Sequence, residues 1–240
     1  MGGVRGLGAA LAALVSFCLT PAQADTQGPD AHPFLAFGGT DMWRDGAFLY
    51  GGLLWSPDGF GTDGFTLKLL LASGGYTYPS GALHTDVDGT LVSASALPGW
   101  RMSRDGTTVS LYAGPIIQNY WLAPYDPGSR LKGFYAGAQF AADIWSQPTP
   151  TSMIALNGSI ASIAAIGTMR VATGWQFSES FFVGPEVQAL WCIDYQQWRI
   201  GVHVTSFRFG GAEWTAASGL AIESFGRSGP YLRFGLNVHY

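Results

Sequence analysis

Apolar and polar side chains alternate along most of the chain after position 32, as expected of strands whose two faces meet different surroundings. In segment 198–207, Trp198, Ile200, Val202 and Val204 share one side, and Arg199, Gly201, His203 and Thr205 share the other. Across 109–121, Val109, Leu111, Ala113, Pro115 and Ile117 make the apolar side. Phe134, Ala136, Ala138, Phe140, Ala142 and Ile144 oppose Tyr135, Gly137, Gln139 and Asp143, and Val183, Val187 and Trp191 oppose Gly184, Glu186 and Gln188. Turn signals such as Arg44-Asp45-Gly46, Ser56-Pro57-Asp58-Gly59, Arg104-Asp105-Gly106 and Asp126-Pro127-Gly128 punctuate these runs. The pattern predicts strands near 33–43, 47–55, 64–79, 90–102, 107–121, 132–145, 151–160, 167–177, 181–193, 197–207, 213–223 and 230–240. That is about twelve, with ten as the alternative, and an even number is what a single-chain bacterial barrel needs.

The last strand is the most regular. Leu232, Phe234, Leu236, Val238 and Tyr240 form one apolar face ending in an aromatic residue, opposite Tyr231, Arg233, Gly235, Asn237 and His239. Such an ending resembles the signal read by the outer-membrane barrel assembly machinery, which makes that machinery and outer-membrane lipid the expected partners.

Composition then says which solvent the apolar faces meet. Charged residues are 12% of the chain, about half the usual share, and aromatics reach 14%. The best candidate for a spanning helix, 153–169, contains Asn157, Gly158, Ser159, Ser162 and Gly167. A clean run of 18 or more apolar residues would be expected of such a helix. Without spanning helices, closed strands are left as the way to cross lipid, because every backbone N–H and C=O must be paired there. The fold class expected is an all-β, transmembrane, antiparallel up-and-down barrel.

Positions 1–24 carry Arg5 ahead of an apolar run and end in Ala22-Gln23-Ala24, the parts of a cleaved secretory signal. The expected organisation is signal peptide 1–24, a short segment 25–32 and a barrel over 33–240, placed in the cell outer membrane. Without Arg5 the chain has 11 basic and 16 acidic side chains, a net charge of −5. No basic patch is available for nucleic acid. Cleavage would leave Cys192 alone, read as a small buried or lumenal hydrophobe.

All nine tryptophans (Trp43, Trp55, Trp100, Trp121, Trp145, Trp175, Trp191, Trp198 and Trp214) fall near predicted strand ends. They are read as membrane-interface anchors, since barrels carry aromatic girdles at both water boundaries. Charge against lipid would cost ~2–4 kcal/mol near the midplane, so the polar phase must line the lumen. That phase holds Gln139, Asp143, Arg170, Glu186, Gln188, Arg199, His203 and Arg233, with Arg101 alongside. Arg170, Glu186 and Arg199 lie on three consecutive strands and are expected to form a positive, negative, positive cluster. A structural lattice filling a narrow lumen is favoured over a polar path for ions or sugars.

No metal-ligand spacing and no nucleotide-binding glycine motif is present, and no cofactor is expected. His203-Val204-Thr205, with Glu186 on the adjoining strand, is the one constellation that could serve a lipid-modifying enzyme. A satisfied lumenal histidine is the plainer reading.

Several runs resemble BcsS-type cellulose biosynthesis proteins of Gram-negative bacteria. They are Gly38-Gly-Thr-Asp-Met-Trp-Arg-Asp-Gly-Ala-Phe-Leu-Tyr-Gly-Gly-Leu-Leu-Trp-Ser-Pro57, Thr62-Asp-Gly-Phe-Thr-Leu-Lys-Leu-Leu-Leu71, Ala96-Leu-Pro-Gly-Trp-Arg101, Ala113-Gly-Pro115, Val183-Gly-Pro-Glu-Val-Gln188 and Gln197-Trp-Arg-Ile-Gly-Val-His-Val-Thr205. The resemblance implies a non-enzymatic outer-membrane barrel that assists cellulose biosynthesis, export or surface anchoring. Cellulose synthase or export components, or the glucan itself, would then be partners, and no catalytic residue is carried over. The alternatives are a lipid-modifying barrel enzyme and a purely structural or adhesive barrel.

Overall fold

A computed structural model describes residues 32–240 apart from 179, 180 and 194. Positions 1–24, read as a signal peptide, and most of the segment 25–32 lie outside the described residues. Twelve strands follow in order: β1 (Phe34–Trp43), β2 (Gly46–Trp55), β3 (Gly64–Ser80), β4 (Thr85–Arg104), β5 (Thr107–Ala123) and β6 (Gly133–Thr149), then β7 (Ser152–Ala161), β8 (Gly167–Ser178), β9 (Phe181–Cys192), β10 (Tyr195–Phe209), β11 (Ala212–Glu223) and β12 (Ser228–His239). Each pairs antiparallel with the next, and β12 returns to β1 to close the barrel. The closing seam runs from Leu35 opposite His239 to Trp43 opposite Tyr231. Closure leaves no strand edge unpaired, which is the condition for crossing hydrocarbon. No described helix is long and apolar enough to cross a membrane, and the run 153–169 is divided between β7, a short 3-10 turn and β8.

The expected faces are realised on the wall. Leu49, Leu71, Phe134, Phe140, Ile200 and Val202 point outward and are exposed. Their sequence neighbours Phe48, Ala72, Gln139, Arg199 and His203 point inward and are buried. At the seam, Gly39 lies so close to the Phe234 carbonyl and the Tyr50 ring that a β-carbon there would collide with both.

The main departure from the expected strands is β4, which starts at Thr85 rather than near 90. Asp86 and Asp88 are exposed, so this stretch has no apolar outer face to read. It is held instead by pairing with β3, where Tyr78 opposes the fully buried Val87.

With an even strand count both chain ends reach the same mouth, here termed the terminal mouth, together with the 56–63 loop. The turns at 81–84, 124–132, 162–166 and 224–227 ring the far mouth. Apolar side chains close the bore toward each mouth. Phe48, Tyr76, Tyr78, Leu91, Tyr120 and Tyr195 pack at the far mouth, where the 162–166 turn inserts Ile163 and Ile166. Leu35, Phe37, Leu54, Phe60, Leu97 and Tyr112 pack toward the terminal mouth. A polar layer lies between them.

Candidate functional site

The polar layer is organised by three ion pairs that cross the bore. Lys68 on β3 bonds Asp143 on β6, Arg199 on β10 bonds Asp41 on β1 at 2.7 Å, and Arg233 on β12 bonds Glu186 on β9 at 2.6 Å. Two strands intervene along the wall between the partners of every pair. Each bond therefore spans a chord of the barrel rather than following the sheet.

Amide and phenol groups join the pairs into a network. The second oxygen of Asp143 accepts from Asn157 Nδ2 at 3.0 Å, and Asn157 Oδ1 accepts from Arg170 at 3.3 Å. Arg170 donates through Nε to Glu186 Oε2 at 2.8 Å, and its Nη2 lies 2.8 Å from the same oxygen. Glu186 Oε1 accepts from the Tyr231 hydroxyl at 2.9 Å, and Arg233 also donates to Gln188 at 3.3 Å. Arg199 donates through Nε to Gln197 at 2.7 Å, and Gln197 and the Tyr195 hydroxyl both donate to Glu223 at 3.0 Å. The rings of Trp43 and Tyr231 lie 5.1 and 5.3 Å from the Arg199 guanidinium carbon. Removing either partner of such a buried pair leaves an uncompensated charge, typically a loss of ~3–5 kcal/mol.

The expected cluster of Arg170, Glu186 and Arg199 is corrected on one member: Glu186 ties Arg170 to Arg233, while Arg199 turns to Asp41. The ladder gives the reason. Arg170 and Arg199 both stand opposite Gln188, not Glu186, and barrel closure brings β12 and β1 within reach across the bore. Gln139, Asp143, Gln188 and His203 are buried on the lumenal side with them. Asp41, Lys68, Asn157, Gln197, Glu223 and Tyr231 belong to the same network and were not singled out from sequence. For Asp41 and Lys68 the signal was available, since a mid-strand charge in a membrane barrel has to face inward.

His203 donates from one ring nitrogen, Nε2, to the Thr173 carbonyl at 3.1 Å, and its Nδ1 pairs with the Thr205 hydroxyl at 2.9 Å. A carbonyl can only accept, so Nε2 carries the proton and a neutral ring leaves Nδ1 to accept from Thr205. Glu186 is committed to Arg170, Arg233 and Tyr231, so His203, Thr205 and Glu186 do not assemble into a nucleophile, base and orienting acid. Among the described residues no group of three potential ligands could hold a metal ion. Between Lys68, Gln139, Asp143 and Thr168 lies a cavity of about 20 Å³, room for one water.

Two of the nine tryptophans are corrected from wall to lumen. Trp145 is buried against Met153 and Phe182, and Trp43 packs inward against Phe48 and Arg199. Alternation already demands this, because Trp145 shares the phase of Gln139 and Asp143, and Trp43 that of Asp41. Proximity to a strand end gives the height of a side chain, not its face. Trp100, Trp121, Trp175, Trp198 and Trp214 stand exposed on the outer wall, with Trp55 and Trp191 partly covered there. On β12, Leu232, Phe234, Leu236 and Val238 face outward, and Tyr240 continues the seam by donating its N–H to the Phe34 carbonyl at 2.9 Å. Cys192 is buried with its thiol free of any disulfide.

A closed antiparallel wall, apolar outside and polar within, defines a membrane-spanning barrel of the outer-membrane type whose lumen is filled. The chain belongs to the cellulose biosynthesis protein BcsS family, whose model matches residues 35–240. No curated protein matches the sequence. Solved structures similar in fold include LpxR from Salmonella typhimurium at 11% identity, covering 86% of this chain and 100% of that one with a TM-score of 0.48. The Pseudomonas putida toluene transporter TodX is similar at 10% identity, with coverage of 97% and 96% and a TM-score of 0.49. The KdgM porin aligns at 11% identity, with coverage of 86% and 99% and a TM-score of 0.43.

Proposed function

We propose that this protein is a non-catalytic outer-membrane accessory of cellulose biosynthesis, acting at the cell surface as a fixed anchor and not as the conduit for the glucan. The observation that carries this reading is the set of three ion pairs that span chords of the bore between non-neighbouring strands. A glucan chain would have to break several buried charge pairs at once to pass, each break typically costing ~3–5 kcal/mol. Engagement of both His203 nitrogens and the commitment of Glu186 to arginines support the non-catalytic part. Outer-membrane lipid meets the apolar wall, the barrel assembly machinery receives the C-terminal strand, and cellulose synthase or export components, or the emerging glucan, engage the mouths.

The test uses a cellulose-producing strain lacking the protein. Loss of the barrel should shift cellulose from the cell-bound to the released fraction, and a folded Glu186→Gln barrel should restore retention. Unchanged cellulose on deletion would overturn the reading. So would passage of β-1,4-glucan oligomers through the reconstituted wild-type barrel.

A further inference from the structure

Five cationic side chains are buried in the lumen: Lys68, Arg101, Arg170, Arg199 and Arg233. Four of them have a carboxylate partner. Arg101 is the exception, 2% exposed and with neither Nε nor Nη2 bonded to any described residue. Those two nitrogens form one edge of the guanidinium, the edge that grips a carboxylate or phosphate side-on. Arg170 presents the same edge to Glu186, with both nitrogens 2.8 Å from Oε2.

Among the described residues no acid pairs with Arg101. Its ladder neighbours are Gly64 on β3 and Ser110 on β5. Asp143, the nearest lumenal carboxylate along that row, is taken by Lys68 and Asn157. In the 56–63 loop Asp63 accepts from the Ser103 N–H at 2.6 Å, and Asp58 stays exposed beside Gly64. A third donor lies on the same lumenal face: the Thr66 hydroxyl, on β3 one diagonal step from Arg101 in the ladder, is buried and unpartnered. Phe60, from the loop that closes the terminal mouth, covers the arginine with its ring 5.4 Å from the guanidinium carbon. The turn that carries it is held in place, with the Gly59 N–H donating to the Ser56 carbonyl at 3.0 Å and the Ser56 hydroxyl to the Gly59 carbonyl at 2.8 Å.

We infer that Arg101 and Thr66 form an oxyanion-binding site inside the terminal mouth, taking a carboxylate or phosphate group through the side-on edge of the guanidinium, with Phe60 as its cover. Burial of an unpaired guanidinium is costly, and a bound oxyanion supplies the anionic partner that the fold supplies to Arg170, Arg199 and Arg233. The site stands independently of the cellulose reading, because its evidence is confined to Arg101, Thr66 and Phe60.

The experiment is thermal unfolding of the purified full barrel in detergent, titrated with sodium phosphate or sodium acetate against sodium chloride at matched ionic strength. Wild type should show a saturable rise of about several degrees with the oxyanions over chloride. Arg101→Lys keeps the charge but loses the fork, and should need about tenfold more oxyanion. Arg101→Leu should lose the response. Phe60→Ala leaves the donors in place and should respond at lower concentration. If the leucine variant does not fold, the lysine and Phe60 variants decide the matter by equilibrium dialysis of labelled phosphate. Three results would overturn the site: no rise beyond chloride in wild type, an unchanged midpoint in Arg101→Lys, or stabilisation by phosphatidylglycerol micelles alone, which places the anion on the outer wall.

Discussion

Arg233 on β12 and Glu186 on β9 meet across the bore at 2.6 Å, although they lie 47 residues apart and two strands separate them on the wall. Glu186 also accepts from Arg170 and Tyr231, so one carboxylate on β9 holds groups from β8 and β12. Glu186→Gln should therefore lower the stability of the barrel by ~3–5 kcal/mol, because two arginines lose their counter-charge. The loss would be read as a lower temperature at which the compact band converts to the unfolded one on a gel. A stability equal to wild type would mean that this carboxylate does not hold the lattice together.

Orientation of the wall can be tested at Val202, which is outward and exposed on β10. Val202→Arg places a guanidinium against lipid and should cost ~2–4 kcal/mol near the midplane, lowering the yield of assembled barrel. Val202→Leu should assemble normally. Gly201, one residue away on the lumenal face, does not serve as a mild control, since a β-carbon there would run into the Ser218 carbonyl and the Tyr231 hydroxyl. If Val202→Arg assembled as well as wild type, the outer face at this height would not be in hydrocarbon.

The C-terminal strand closes the cylinder, pairing with β11 on one side and β1 on the other. Deleting 232–240 exposes both edges and removes the seam, and open edges are not tolerated in a bilayer. The truncated chain should be absent from the outer-membrane fraction and degraded in the periplasm. Recovery of a heat-modifiable truncated barrel from that fraction would contradict the closed topology.

A pH-dependent element lies outside the wall, in the 124–132 turn. Asp126 accepts from the Tyr78 hydroxyl at 3.0 Å and from the Gly128 N–H at 2.8 Å. Burial by itself pushes its carboxyl up, but the hydrogen bonds from Ser80, Gly128 and Tyr78 outweigh this and hold it below the usual carboxylate range. A carboxyl depressed in the folded state adds stability above its unfolded value, near pH ~3.9, and the gain fades as pH falls through the folded value. Asp126→Asn should thus destabilise the turn at neutral pH, seen as faster proteolysis or amide exchange across 124–132. The gap from wild type should close in strongly acidic buffer, and a gap that widened there would refute the assignment.

Alternation, read with the low charge content and the lack of a spanning helix, determined the closed barrel, nearly all of its strand positions and which phase faces lipid. This works because a strand in a bilayer wall meets two solvents of opposite character, and a one-residue slip would put charges such as Arg199 against hydrocarbon. The pattern falls silent where that contrast ends, as at Thr85–Asp88, where β4 rises on ladder pairing with its outward side chains polar. At Trp43 and Trp145 nearness to a strand end and phase point to different faces, and phase holds, because both rings pack into the lumen. Partner choice inside the lumen was decided by the tertiary structure. Period two assigns a face but neither the height of a side chain nor what stands across the bore. Only closure of the sheet, with β12 on β1 in fixed register, brings Arg233 to Glu186 and Arg199 to Asp41, and the packing of the 56–63 loop puts Phe60 over Arg101.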